Sequence, residues 1–213
     1  ACESMANTNL KETQQTFERV FREYGLPERI RTDNGIPFAS TSRAGLSQLS
    51  IWWMRLGIIP ERIEPGRPDQ NGRHERMHRT LKSTLPHPSA IAWEAQQRHF
   101  DRFLQHYNYE RGHEALGQKT PAACYTPSTR MYPETLPEMT YASHIESYLA
   151  DSNGIINRGG MRVYVGNLLC HQTIGMEMIG DGVWNVIFGP VILGHVNARD
   201  AKNGYVSIKV SPM

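Results

Sequence analysis

GRHERMHRTLK, residues 72–82, holds His74, Glu75 and His78 in the order H-E-x-x-H. On a helix, two histidines four residues apart share one side. Zinc hydrolases use that arrangement to present two imidazoles to a dication, with the glutamate as general base. The chemistry also needs a third protein ligand downstream. In the extended form of the motif, Leu81 stands where a glycine is required and Thr84 where the third histidine is required. Glu94 as a substitute lies beyond Pro86 and Pro88, and Arg73, Arg76 and Arg79 bring positive charge that opposes a zinc ion. A zinc hydrolase is therefore a distant alternative.

Turning the same helix by about 100° per residue puts Met77, Leu81 and Leu85 on one side. Glu75, Arg79 and Lys82 gather on another, with His78 bordering the polar face and His74 the apolar one. For an arbitrary helix this describes a solvated face packed on a core by its other side. The surroundings point further. Between Gly66 and Lys82 stand five basic residues (Arg67, Arg73, Arg76, Arg79, Lys82) against Asp69 and Glu75, so 5 − 2 gives a local +3. Such a patch suits a nucleic acid backbone. The whole chain, at a formal +2, carries too little net charge to make that argument alone.

Upstream, Asn9 and Glu12 read as a helix start, with Leu10, Phe17, Phe21 and Tyr24 at helical spacing up to Gly25. Residues 28–32 read as a short strand stopped by Asp33-Asn34-Gly35. A helix over 43–56 follows, with Leu46, Leu49, Trp53 and Leu56 on one face, and then an irregular strand over 58–63. The helix of the opening motif runs from about 71 to 85. Asp33 thus ends a strand and Glu75 opens a helix, an arrangement that brings carboxylates together on Mg²⁺ through oxygen.

Downstream, Ser89 is the expected cap of a helix carrying Trp93, Phe100, Phe103, Leu104 and Tyr107. Pro121, Pro127, Pro133 and Pro137 mark a linker, after which runs over 161–165, 174–179, 183–188 and 191–196 read as a small antiparallel sheet or barrel, with a turn at Asp181-Gly182. The expected division is a core over 1–120, a linker over 121–139 and a β domain over 140–213. Cys2, Cys124 and Cys170 are far apart and form no C-x-x-C pair, so neither a disulfide framework nor a cysteine zinc site is suggested, and a reducing, cytoplasmic compartment fits. No run of 18 apolar residues is present.

RTDNGIPF, LGI, PGRPDQNGRHERMHRTLK and YNYERGHEALGQKTPAACY together resemble DDE transposases of bacterial insertion sequences, within the retroviral integrase superfamily. The resemblance runs to about Tyr125. It implies an α/β, RNase H-like integrase core followed by a small β-barrel. It implies two aspartates and a glutamate holding two Mg²⁺ or Mn²⁺ ions for DNA cleavage and strand transfer. Asp33 matches the second aspartate and Glu75 the glutamate. His78, Arg79 and Lys82 match the part of the helix that touches DNA, and Asn71 and Gly72 match the turn before it. Related enzymes act as homo-oligomers on DNA, and a nucleoid-associated location follows.

Two departures stand out. Asp33 and Glu75 are separated by 41 residues, with the extra length around Ser40 to Gln48, and Gly112 stands where relatives often carry proline. The larger departure is that no aspartate precedes Asp33, and Glu3 is the one acid in the leading segment. The chain, beginning at Ala1, is expected to start inside the catalytic core with the first strands missing. Two dications repel about four times as strongly as two unit charges, so without the bridging aspartate the chain is expected to be inactive, and the missing strands, which would leave Ile30 and its neighbours with unpaired backbone groups, are expected to make it poorly stable. A non-catalytic DNA-binding remnant is the alternative.

Overall fold

The computed structural model describes residues 1–5, 9–33, 35–38, 45–64, 67–84 and 93–210. The fold is mixed α/β. Two compact units form, one from Ala1–Leu26 with Glu64–Met131 and one from Pro27–Ile63 with Tyr132–Met213.

The first unit is helical. Helix α1 spans Leu10–Tyr24, the expected range. Its start is held by Asn9, whose side chain accepts from the Glu12 amide at 2.9 Å and donates to the Glu12 carboxylate at 3.0 Å. Gly25 ends it at φ 78°, and its amide returns to the Phe21 carbonyl. A side chain there would meet the Ser128 carbonyl at 2.5 Å, because residues 125–130 close over the end of the helix. Ser128 donates from its amide to the Tyr24 carbonyl and from its hydroxyl to the Leu26 carbonyl, and Tyr125 packs edge-on against Tyr24.

A 3₁₀ turn at Pro68–Asn71 leads into α3, Gly72–Thr84. Helix α4, Trp93–Gln105, buries Phe100 and Phe103 and continues into a single π turn at His106–Glu110. Leu85, the expected end of the motif helix, and Ser89, the expected cap of the next one, lie outside the described residues. The proline-rich stretch read as linker contains a short helix α5, Pro121–Cys124, which Thr120 caps by accepting from the Ala123 amide. Proline is compatible with the first turn because its missing N–H would be unpaired there anyway.

The second unit begins with β1, Arg29–Thr32, paired in parallel with β2, Ile59–Arg62. Between them α2 spans Gln48–Arg55, starting later than the expected 43 because Ser47 and Ser50 form a reciprocal capping box. Eight further strands follow: β3 (Glu146–Leu149), β4 (Ile155–Arg158), β5 (Met161–Tyr164), β6 (Thr173–Gly180), β7 (Val183–Phe188), β8 (Val191–Asn197), β9 (Tyr205–Ser207) and β10 (Lys209–Val210). The four runs read from sequence are β5 to β8; β3, β4, β9 and β10 are not among them.

Where a small antiparallel sheet or barrel is expected, the described residues of 140–213 form two open sheets. One has the order β10-β8-β7-β6-β3 and is antiparallel throughout. The other has the order β4-β5-β9, with β9 parallel to β5. The physical reason is the crossover after β8, which brings β9 alongside β5 and closes no ring with β10. Ile156, Val163, Val186, Phe188 and Val196 from both sheets share one core with Ile51 and Met54 of α2. No helix among the described residues is long and apolar enough to cross a membrane.

Candidate nucleic-acid interface

The approach to α3 is organised by backbone. Glu64 donates its amide to the Gln70 side chain at 2.9 Å, Arg67 to the Glu64 carbonyl at 3.0 Å, and Gln70 to the Arg67 carbonyl at 3.2 Å. The exposed Arg67 guanidinium lies 3.7 Å from the Glu64 carboxylate, an exposed ion pair of small energy. Asn71, half-buried, closes the 3₁₀ turn. At Gly72 a side chain would meet nothing within 4 Å, so no steric demand for glycine arises there.

Helix α3 buries none of its side chains. Met77, Thr80 and Leu81 are half-buried, while Arg73, His74, Glu75, Arg76, His78, Arg79 and Lys82 are exposed. Among the described residues none of Arg73, Arg76, Arg79 and Lys82 enters an ion pair. Their charge therefore stays available to an outside anion. Glu75 sits in the first turn, where a carboxylate is favoured by the helix dipole. The His74 and His78 rings stand 4.0 Å apart, centroid to centroid. Desolvation holds His78 below the usual imidazole range, with the charges of His74 and Lys82 adding to it.

Asp33 follows β1 and is exposed. Its Oδ1 accepts from the Gly35 amide at 3.0 Å, and among the described residues Oδ2 carries no hydrogen bond. The neighbouring acid, Glu61 of β2, is fully engaged: Arg29 reaches one oxygen at 2.9 Å, and Arg31 the other at 2.9 and 3.1 Å. Those bonds, Arg29 first and then Arg31, pull its carboxyl below the ordinary range. Sequence reading overlooked this cluster, although Arg29 and Arg31 alternate and Arg31 pairs with Glu61 in the β1–β2 register.

Asp33 belongs to the second unit and Glu75 to the first. Among the described residues no group of three or more His, Cys, Asp or Glu that could hold a metal forms. His74 and His78 accordingly gain no third zinc ligand there.

Residues 56–121, which include all of α3, match the family Integrase core domain. The resemblance that the motifs carry, to integrase-core proteins of insertion sequences and retroviruses, is matched by this similarity over about a third of the chain and by the relatives that follow. Among curated relatives, an insertion element IS407 uncharacterized 31.7 kDa protein of Burkholderia multivorans is 31% identical over 119 residues, covering 51% of this chain and 37% of its own. An insertion element IS476 uncharacterized 39.2 kDa protein of Xanthomonas euvesicatoria is 34% identical over 99 residues (46% and 27%). The Pol polyprotein of a radiation murine leukemia virus is 36% identical over 73 residues (34% and 12%). The chain thus matches well under half the length of each. Among solved structures, a simian T-cell lymphotropic virus intasome in complex with PP2A regulatory subunit B56 gamma aligns over 98% of this chain and 67% of its own, with 19% identity and a TM-score of 0.46.

Proposed function

We propose that this chain is the integrase-core part of a DNA transposase and that α3 is its DNA-backbone contact. The observation that carries the reading is a helix inside the matched segment whose exposed Arg73, Arg76, Arg79 and Lys82 have no ion-pair partner among the described residues. A cation left unpaired on an exposed helix is free to displace counterions from phosphates, which is the main source of backbone affinity. Arg67, Asn71 and His78 would flank that contact. His78, held toward its neutral form, is suited to accept or donate a hydrogen bond at neutral pH more than to add charge.

The reading includes an RNase H-like core over 1–120, a linker over 121–139 and a β domain over 140–213, acting as a homo-oligomer on DNA in the bacterial cytoplasm at the nucleoid. Asp33 and Glu75 would be its Mg²⁺ or Mn²⁺ ligands, and such ions activate a nucleophile and stabilise the leaving oxygen at a phosphodiester. Their carboxylate oxygens fit a hard dication in kind. Two carboxylates are too few for a pair of ions, and Asp33 and Glu75 belong to different units. No cleavage or strand-transfer step is therefore assigned to this chain's residues, and the second reading is a DNA-binding protein without chemistry of its own.

Fluorescence anisotropy of the 213-residue chain with labelled duplex DNA, from low to physiological salt, tests the binding. Arg79→Ala with Lys82→Ala should flatten the slope of log K against log salt by about 1.8, or about 0.9 per phosphate contact. An unchanged slope would remove α3 from the interface. Magnesium-dependent nicking or strand transfer abolished by Asp33→Ala would select the transposase over the non-catalytic reading, and its absence alongside retained binding would select the other.

A further inference from the structure

Alternation along β4, β5 and β9 sorts their side chains into two faces. Ile156, Val163 and Val206, partners across the three strands, point into the core. One position along, Asn157 pairs with Arg162 and Arg162 with Tyr205, so a single outward row crosses the whole sheet. This row borders a cleft of about 490 Å³ whose other walls include Tyr148, Leu149, Asp151 and Asn153.

The chemistry of the row is unlike that of its neighbours. Arg162 donates to the Tyr205 hydroxyl at 3.1 Å and lies 5.3 Å from the Tyr205 ring centroid, and among the described residues it enters no ion pair. Arg158, on the same sheet, is neutralised by Glu146 through bonds of 2.7 and 2.8 Å and packs 4.4 Å over Trp184. The single carboxylate in the cleft, Asp151, has its Oδ1 occupied by the turn amides of Asn153 and Ile155. Arg162, in no ion pair among the described residues, thus sits beside a Tyr205 that is 45% exposed and a Leu149 that is 66% exposed.

An unneutralised guanidinium, an exposed ring, an apolar side chain and two amides in one cleft match the parts of a nucleotide. The guanidinium takes phosphate, the ring and Leu149 take the flat face of a base, and the amides reach its edge. A duplex keeps its base faces stacked inside the helix, so a platform of this kind recognises bases that are already unstacked. We propose that the outer face of β4-β5-β9 binds single-stranded nucleic acid, with a base against Tyr205 and its phosphate on Arg162. This site is separate from the duplex contact assigned to α3.

The test is fluorescence anisotropy of the full chain with a labelled oligothymidylate of roughly ten residues, enough for one such platform. An abasic oligomer of equal length and a duplex serve as comparisons. Tyr205→Ala should weaken binding of the oligothymidylate about tenfold and Tyr205→Phe by less than about twofold, since stacking needs the ring and not the hydroxyl. Arg162→Ala should weaken it several-fold and flatten the salt slope by about 0.7, the single-strand value per phosphate. The abasic oligomer should bind the unaltered protein about tenfold more weakly, a readout that needs no variant to fold. Equal affinity for the abasic oligomer, or full binding by folded Arg162→Ala and Tyr205→Ala variants, would overturn the proposal. Arg79→Ala with Lys82→Ala should leave the preference for bases over abasic sites intact, so failure of the α3 reading and failure of this one are distinguishable.

Discussion

Helices α2 and α3 invert one another. In α2, Leu49, Ser50, Ile51, Trp52, Trp53 and Met54 are all buried within eight residues; in α3, thirteen residues bury nothing. A helix buried all round has its side chains chosen by the space they fill. A helix exposed on nearly every side is held by its neighbours in sequence and a thin apolar stripe, here Met77 and Leu81, which leaves its other positions available for contact. The difference teaches that the matched motif helix is a presented surface, while burial is concentrated in α2 and the sheets with which it shares a core.

The strongest way to break that contrast is to empty a site on each helix. Met54→Ala should cost about 2–5 kcal/mol, because Met54 is fully buried among residues of both sheets. Met77→Ala should cost less than about 1 kcal/mol. Urea unfolding of the two variants checks this, and equal losses would erase the distinction. Next in size, Gly25→Ala should cost about 1–3 kcal/mol, since its φ of 78° disfavours a side chain and the Ser128 carbonyl stands 2.5 Å from the new carbon. A neutral result there would mean the close-over of residues 125–130 relaxes freely.

Smaller still, Arg79→Ala with Lys82→Ala should change stability by no more than about 0.5 kcal/mol. The salt slope of duplex binding is what it should move. A large drop in melting temperature would instead make the basic face structural. The smallest effect concerns acid. Arg158 first, and the Tyr148 hydroxyl second, hold the Glu146 carboxyl down to about 2. A depressed carboxyl stabilises the fold above its ordinary value of 4.5 and loses that contribution as pH falls toward about 2. Denaturation midpoints of Glu146→Gln and the unaltered chain should therefore differ near neutrality and converge in strong acid; parallel curves would show the exposed pair contributes nothing.

Local signals were legible wherever the chain writes its own punctuation. Asn9 with Glu12 and Gly25 bound α1 because capping bonds are made between residues three or four apart. Val183 to Phe188 and Val191 to Asn197 show as strands because each is long enough to alternate. Residues 155–158 and 205–207 do not, and pairing decides them: Tyr205 is in a strand because Arg162 lies beside it. The start of α2 was placed early because its apolar spacing extends beyond the Ser47 cap. Of the candidate site, the basic residues of α3 were readable as a face, while the Glu61 cluster with Arg29 and Arg31 required the parallel β1–β2 register.

The sequence by itself carried the resemblance to the integrase-core class, the helix that carries Glu75, the strand end that carries Asp33 and the basic character of α3, because each depends on residues within a turn or two of one another or on motif letters. Tertiary structure alone decided that α2 is buried all round, that the C-terminal strands form two open sheets, and that Asn157, Arg162 and Tyr205 share one row. Those facts rest on pairing and burial between residues tens of positions apart, and a backbone partner or a packing neighbour leaves no mark in the local pattern of either segment.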